Sequence, residues 1–329
     1  MADSNEAPLA PTLLGQSGDS LRESFGKALT ELAAGRDDFV VLDADVAGGT
    51  GMHHFRKAYP QRFFQFGIAE QNMMAAAAGM AVTGLIPVVT TFAVFCLRAY
   101  EQARLQIAYD RRNVKIVASH PGLDVGPDGA SAQCLEDLAA FCALPNLTVI
   151  SPADQTEMTQ AAAAILDFDG PVYLRTGRSA APRILPPDYR FAIGKARILR
   201  PGQDVALVAC GPLVARALAA AEMLQQGGIA ATVVNCATLK PLDEQTLVDV
   251  ARTCGCLVTA EDHSIIGGLG STVAHCLARH YPIPMEMVAV ADVFGRSGEP
   301  EQLATAYGID APAIVQAALR VLQRKETRR

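Results

Sequence analysis

Two α/β domains in tandem, each built on a parallel sheet, are what this sequence predicts, and three observations carry the prediction. Short β-branched runs alternate with longer Ala-rich or amphipathic runs, the pattern of strand–helix–strand units. A Pro-rich, charged stretch without long periodicity, "RSAAPRILPPDYRFAIGKARILRPGQ" (178–203), interrupts the alternation, which then restarts. Half of the 329 residues are hydrophobic and 19% are charged, so two cores of ordinary size can be filled.

Taken in order, "DFVVLDAD" (38–45) reads as a buried strand ending in acid and turn residues. "EQNMMAAAAGMAVTG" (70–84) reads as a helix buried all round, because Ala dominates and no face is polar. "IPVVTTFA" (86–93) is a strand, "RAYEQARLQIAYDRRN" (98–113) a helix, and "VKIVASH" (114–120) a strand followed by the long loop "PGLDVGPDGASAQ" (121–133). "LEDLAAFCAL" is a helix, "LTVISPAD" a strand running into a helix cap, "EMTQAAAAILDF" a helix and "PVYLRTGR" (171–178) a strand. Beyond the break come the strands "DVALVACG", "IAATVVNCAT" and "CLVTAEDHS". The helices "LVARALAAAEMLQQGG", "DEQTLVDVARTC", "GGLGSTVAHCLARH" and "APAIVQAALRVLQRK" alternate with and follow them. The expected boundaries are a flexible N-terminus (1–19), a first domain (20–180), a linker with a short hairpin (181–202) and a second domain (203–329).

Composition excludes several functions. The net charge is −6 and the one basic block is the tail "RKETRR", so no basic stripe offers itself to a nucleic acid backbone. The N-terminus lacks a basic region followed by an apolar one, and the apolar runs are too short to span a bilayer. A soluble, cytoplasmic protein is expected. The eight cysteines include no CxxC, and no Cys/His cluster has ligand spacing, so reduced, buried thiols and no metal site are expected.

Several stretches carry chemistry-bearing residues. Glu70 stands alone before the apolar helix, either as an acid favoured by the helix dipole or as a carboxylate held in an apolar pocket for proton chemistry. Phe92 and Phe95 can share one side, as core or as a platform for a planar ring. The 121–133 loop follows a strand and carries Asp124 and Asp128 beside His120; long loops at such places are usually functional. Arg175 and Arg178 at the next strand end suit a phosphate or carboxylate, with an ordinary solvated strand end as the competing reading. "GGLGS" (267–271) reads as a tight turn into a helix, and Glu261, Asp262 and His263 lie at a strand's C-terminal edge.

"LDADV", "RFFQFGIAEQNM", "TTFAVF", "RAYEQARLQIAY", "NVKIVASHPGL", "DGAS", "LPNLTVISPAD" and "GPVYLRTGR" occur in an order that resembles the pyrimidine-binding domain of thiamine diphosphate-dependent transketolases. The remainder resembles the transketolase C-terminal domain, and the likeness covers about residues 20–325. It implies that Glu70 hydrogen-bonds N1′ of the cofactor's aminopyrimidine, promoting the tautomer that deprotonates the thiazolium. It further implies that Phe92 and Phe95 stack on the pyrimidine, that Arg98 stands where a third aromatic is usual, and that Asp45 and Val46 contact the cofactor. Arg22, His120 and Arg178 match groups that bind a sugar phosphate, and Asp128 one that reads a substrate hydroxyl.

The family's diphosphate-binding domain, with its "GDG" motif and a later Asn holding Mg²⁺, has no counterpart here. The resemblance therefore implies the small subunit of a split transketolase, with a large partner subunit that holds the diphosphate and metal, in an α₂β₂ assembly. In place of the usual "DGxTHQ" or "DGxSHQ" the loop reads "DGASAQ", so Ala132 stands where a substrate-contacting His is expected. The leading activity is transfer of a two-carbon glycolaldehyde unit from a ketose phosphate to an aldehyde. Two alternatives are delivery of such a unit to a lipoyl or carrier-protein thiol, as in the beta subunits of 2-oxo acid dehydrogenases, and a non-catalytic regulatory partner.

Overall fold

The computed structural model describes residues 17–327. The strands are β1 (Ser17–Ser20), β2 (Phe39–Asp43), β3 (Phe63–Gln65), β4 (Ile86–Phe92), β5 (Lys115–Ser119), β6 (Thr148–Ile150) and β7 (Val172–Thr176), then β8 (Ala180–Pro182), β9 (Arg197–Arg200), β10 (Val205–Ala209), β11 (Ala231–Asn235), β12 (Thr238–Lys240), β13 (Leu257–Ser264) and β14 (Met285–Val290). They form a seven-stranded sheet in the order β12-β6-β7-β5-β4-β2-β3, a five-stranded sheet in the order β14-β13-β10-β11-β9, and the small pair β1-β8.

The body of each large sheet is parallel, with register such as Leu42 opposite Val89 and Val117 opposite Leu174. Every residue of β2, β5 and β7 is buried, as expected of strands covered by helices on both faces. Each sheet also carries one antiparallel edge strand, β12 on β6 and β9 on β11, which the all-parallel expectation did not include.

The segment read as a linker with a hairpin supplies β8 and β9, and neither pairs with the other. β8 pairs with β1 and β9 with β11. Of the stretch read as a flexible N-terminus, residues 1–16 lie outside the described residues, while Ser17–Ser20 form β1. β12, which lies within the second-domain sequence, completes the first sheet by pairing with β6, so the second-domain sequence lends the first unit its edge strand.

The helix Glu70–Val82 buries Glu70, Met73, Met74, Ala77 and Ala78, yet its opposite face is open, with Gly79 and Val82 exposed. The helix expected over 98–113 is broken. Ala99 leaves helical geometry (φ −108°, ψ 22°), and Ala103–Tyr109 winds as a π-helix. All eight cysteines are free, seven buried and Cys142 half-buried. Among the described residues no helix is long and apolar enough to cross a membrane.

Candidate active site

Because β2, β4, β5 and β7 are parallel neighbours, their C-terminal ends share one edge, where ligands bind in open α/β sheets. Asp45 and Val46 follow β2, Phe92 ends β4, His120 follows β5 and Arg178 lies just past β7. The first turn is held by side chains within the sheet. Gln65 Nε2 donates to Asp43 Oδ1 at 2.9 Å, and Gln65 Oε1 accepts the Asp45 N–H at 2.9 Å. Asp43 Oδ1 also accepts the Val46 N–H at 3.0 Å. This bracing sets Asp45 in the left-handed region at φ 66° and presents Val46 half-buried at the edge.

Glu70 begins its helix and is 3% exposed. Its Oε2 is buried and makes no hydrogen bond among the described residues. Arg98, whose side chain is 73% exposed, brings Nε to 3.8 Å from that oxygen, too far for a hydrogen bond. Arg98 thus stands as a loose counter-charge over Glu70. Burying a carboxylate oxygen with an empty acceptor is costly, and a protonated ring nitrogen or N–H donor would satisfy it.

Phe92 and Phe95 lie stacked, with centroids 5.3 Å apart and an interplanar angle of 8°. Phe92 also stacks on His120 at 3.7 Å. Gly49 makes room for this layer, because a Cβ there would sit 2.6 Å from Phe92 Cε1. Gly49→Ala should displace the ring and cost about 1–3 kcal/mol, the usual price of overpacking. Urea unfolding followed by circular dichroism checks this.

His120 is buried in left-handed backbone, φ 61°. Ser119 Oγ donates its one proton to Gly49 O at 3.0 Å, so His120 Nδ1, 2.8 Å from that hydroxyl, must be the donor between them. Nε2 then carries a lone pair, and Asp128 Oδ2 lies 3.9 Å from it. Burial, with the charges of Arg22 and Arg178 adding, pulls the His120 pKa down to about 3. Arg178 Nη2 reaches Asp128 Oδ1 at 3.5 Å, and Arg22 Nη1 donates to Gly49 O at 3.1 Å while its buried Nε has no hydrogen-bond partner among the described residues. Two cations and two acceptors therefore converge, which suits an anion carried on a molecule with hydroxyl donors.

The His120 pKa has a consequence for stability. Its folded value lies below the unfolded value of about 6.5, so its contribution is complete above about pH 6.5 and is lost as pH falls toward 3. Between pH 7 and pH 5 the wild type should lose more stability than His120→Gln, read as the shift in urea midpoint.

Other sequence-predicted residues lie elsewhere. Arg175 does not join Arg178: it turns into the interior, where Nε and Nη2 bind Asp137 at 2.7 and 2.5 Å. Glu261 caps the helix Leu269–His280 by accepting the N–H groups of Leu269 and Gly270, which gives "GGLGS" a structural role. His263 accepts the Ala139 N–H at 3.3 Å. Ala132 donates its N–H to Gly129 O within the loop. Sequence reasoning missed Asp43, Gln65 and Gly49, which shape the site through contacts between distant segments. It also missed the group Glu23, His53 and His54, in which His54 Nε2 lies 2.9 Å from Glu23 Oε2.

A buried acid with an open acceptor, a stacked aromatic pair and an anion-suited cluster on one sheet edge suit an enzyme of the α/β class that handles a planar ring and an anion. The comparisons agree with this class. Residues 18–183 match the family described as transketolase, pyrimidine binding domain, and 194–314 the transketolase C-terminal domain. The chain belongs to the transketolase family.

Among its relatives, a protein named as a transketolase C-terminal section from Methanocaldococcus jannaschii is 41% identical, over 93% of this chain and 97% of that protein. A 6-deoxy-6-sulfo-D-fructose transketolase subunit from Clostridium sp. (strain MSTE9) is 40% identical, over 94% and 96%. A solved structure described as a split gene transketolase, inactive beta4 tetramer, is 47% identical, with a TM-score of 0.86 over 94% of this chain and 99% of that one. The chain spans about half of other relatives, such as the 1-deoxy-D-xylulose-5-phosphate synthase of Thermomicrobium roseum (48%).

Proposed function

We propose that this chain is the pyrimidine-binding subunit of a two-chain transketolase and transfers a two-carbon unit from a phosphorylated ketose to an aldehyde. The observation that carries this reading is Glu70, buried with an acceptor oxygen that no hydrogen-bond donor satisfies among the described residues. The residues present fit thiamine diphosphate: Glu70 would hold the proton at N1′, the Phe92–Phe95 pair would offer the pyrimidine a stacking surface, and Asp45 and Val46 would contact the cofactor. When bound, the cofactor supplies a carbon nucleophile and an electron sink.

The chain's own residues perform the remaining work. Glu70 fixes a proton in a site its apolar neighbours keep dry, where a charge-assisted hydrogen bond is worth about 1.5–3 kcal/mol. Arg22 and Arg178 bind the sugar's phosphoryl group. Neutral His120 and Asp128 accept from its hydroxyls, which gives discrimination an apolar pocket lacks.

The diphosphate and Mg²⁺ fall to a large partner subunit, in an α₂β₂ assembly. Support comes from exposed apolar side chains along the helix that Glu70 begins and the segments beside it. Ile68 is 82% exposed two residues before it, Val82 ends its helix in solvent, and Leu105 and Tyr109 are exposed on the adjoining π-helix. A related chain that forms an inactive tetramer by itself fits the same division of labour. The test combines this chain with a diphosphate-binding subunit, thiamine diphosphate, Mg²⁺, xylulose 5-phosphate and ribose 5-phosphate. Sedoheptulose 7-phosphate should form only with both subunits; formation by this chain alone, or none with both, would overturn the reading.

A further inference from the structure

The second domain contributes none of the site residues described above, yet it reaches the substrate end of the site through one side chain. Asp262, on β13, is 5% exposed. Its Oδ1 accepts the Leu123 N–H at 2.8 Å and its Oδ2 the Asp124 N–H at 3.0 Å. Gly122, at φ 73°, permits this approach, since a Cβ there would lie 2.2 Å from Asp262 Oδ2. Arg175 Nη1 holds the Asp262 backbone carbonyl at 3.1 Å.

Asp124, so gripped, repeats the motif one step further on. Its Oδ2 alone accepts both the Arg178 N–H and the Ser179 N–H, each at 2.9 Å, and its carbonyl accepts the Ser179 hydroxyl at 2.9 Å. We propose that Asp262 and Asp124 form a two-carboxylate relay by which the second domain positions Arg178 for the phosphoryl group of the substrate.

This inference rests on the transketolase reading for the identity of the anion. Asp262 and Asp124 are positioning residues, because each acts through the backbone N–H groups that its carboxylate holds. The loop has other anchors in the second domain, among them Gln133 Nε2 donating to Arg296 O at 3.0 Å. Loss of Asp262 therefore loosens the loop at 123–124 without detaching it.

The two carboxylates differ in a way that a simple packing role would not reproduce. Asp262 uses both oxygens, so the amide of Asp262→Asn must set an NH₂ against a backbone N–H. Asp124 uses one side-chain oxygen for both donors, so Asp124→Asn keeps them with its carbonyl, whereas Asp124→Ala keeps neither. In the reconstituted pair, Asp262→Asn and Asp124→Ala should raise KM for xylulose 5-phosphate about tenfold or more. They should leave kcat within about threefold and KM for the unphosphorylated ketose erythrulose unchanged, and Asp124→Asn should behave as wild type.

Amide hydrogen exchange read by mass spectrometry gives a readout independent of turnover. Peptides covering 121–133 and 176–180 should exchange faster in Asp262→Asn and Asp124→Ala and as wild type in Asp124→Asn. Equal impairment of Asp124→Asn and Asp124→Ala, wild-type exchange in Asp262→Asn, or parallel KM changes for both ketoses would overturn the relay. A wild-type pair inert toward xylulose 5-phosphate would overturn the transketolase reading instead, and the exchange pattern would still decide whether the relay exists.

Discussion

Glu70→Gln should lower kcat of the reconstituted pair by about 10²–10⁴-fold, the range that a positioned proton-transfer group contributes. Glutamine matches glutamate in shape and can still meet a donor at one atom, but it cannot hold a proton on the facing ring nitrogen as an anion does. The stacked Phe92–Phe95 surface is untouched, so cofactor should still bind, weakened by little more than the lost charge-assisted bond. The fold should be spared as well: Glu70 Oε2 has no hydrogen-bond partner to lose among the described residues, and Arg98 is exposed enough to find water. Stability should thus stay within about 0.5 kcal/mol of wild type while turnover collapses. A Gln variant that retained turnover within about threefold would remove Glu70 from the chemistry and favour a non-catalytic role for the chain.

Glu70 was legible because it is the one acid ahead of a run of Ala and Met, where charge has no reason to stand except a cap or a site. Phe92 and Phe95 were legible as neighbours because a strand end passes directly into a helix there. The order of strands and helices followed from β-branched runs that are buried on both faces. What could not be read depends on contacts between segments far apart in sequence. Arg175 and Arg178 are three residues apart and identical in type, yet one is buried on Asp137 and the other lies past the strand end; only Asp137, some forty residues earlier, separates their roles.

Asp262 reaches the loop across about 140 residues, and periodicity carries no trace of that. The antiparallel edge strands β9 and β12 were hidden for a similar reason. Short edge strands have weak alternation, and their pairing is fixed by the sheet that receives them. The open face of the Glu70–Val82 helix has a different origin. Ala and Gly are as compatible with a covered surface as with an uncovered one, so composition cannot say whether the covering atoms belong to this chain.

Asp137→Ala should destabilise the chain by about 3–5 kcal/mol, the cost of leaving one member of a buried ion pair without its partner. Asp137 and Arg175 are both buried, and they meet in a fork, with Tyr173 Oη also donating to Asp137 Oδ2 at 2.6 Å. Burial alone would raise the Asp137 pKa, but the charge and hydrogen bonds of Arg175 hold it below the ordinary aspartate value. A depressed folded value means that the pair's contribution is present above the unfolded pKa of about 3.9 and is lost as pH falls through the folded value. At neutral pH the full penalty should therefore appear.

The loss is a large share of the roughly 5–15 kcal/mol that holds a typical domain together. Arg175→Met should cost a similar amount, because it strands the carboxylate. The pair Asp137→Leu with Arg175→Met should recover much of the loss, since replacing a buried ion pair whole is often neutral. Having no tryptophan, the protein is best followed by far-ultraviolet circular dichroism in urea. Single substitutions that shifted the midpoint by no more than the double would show that the two charges are not coupled.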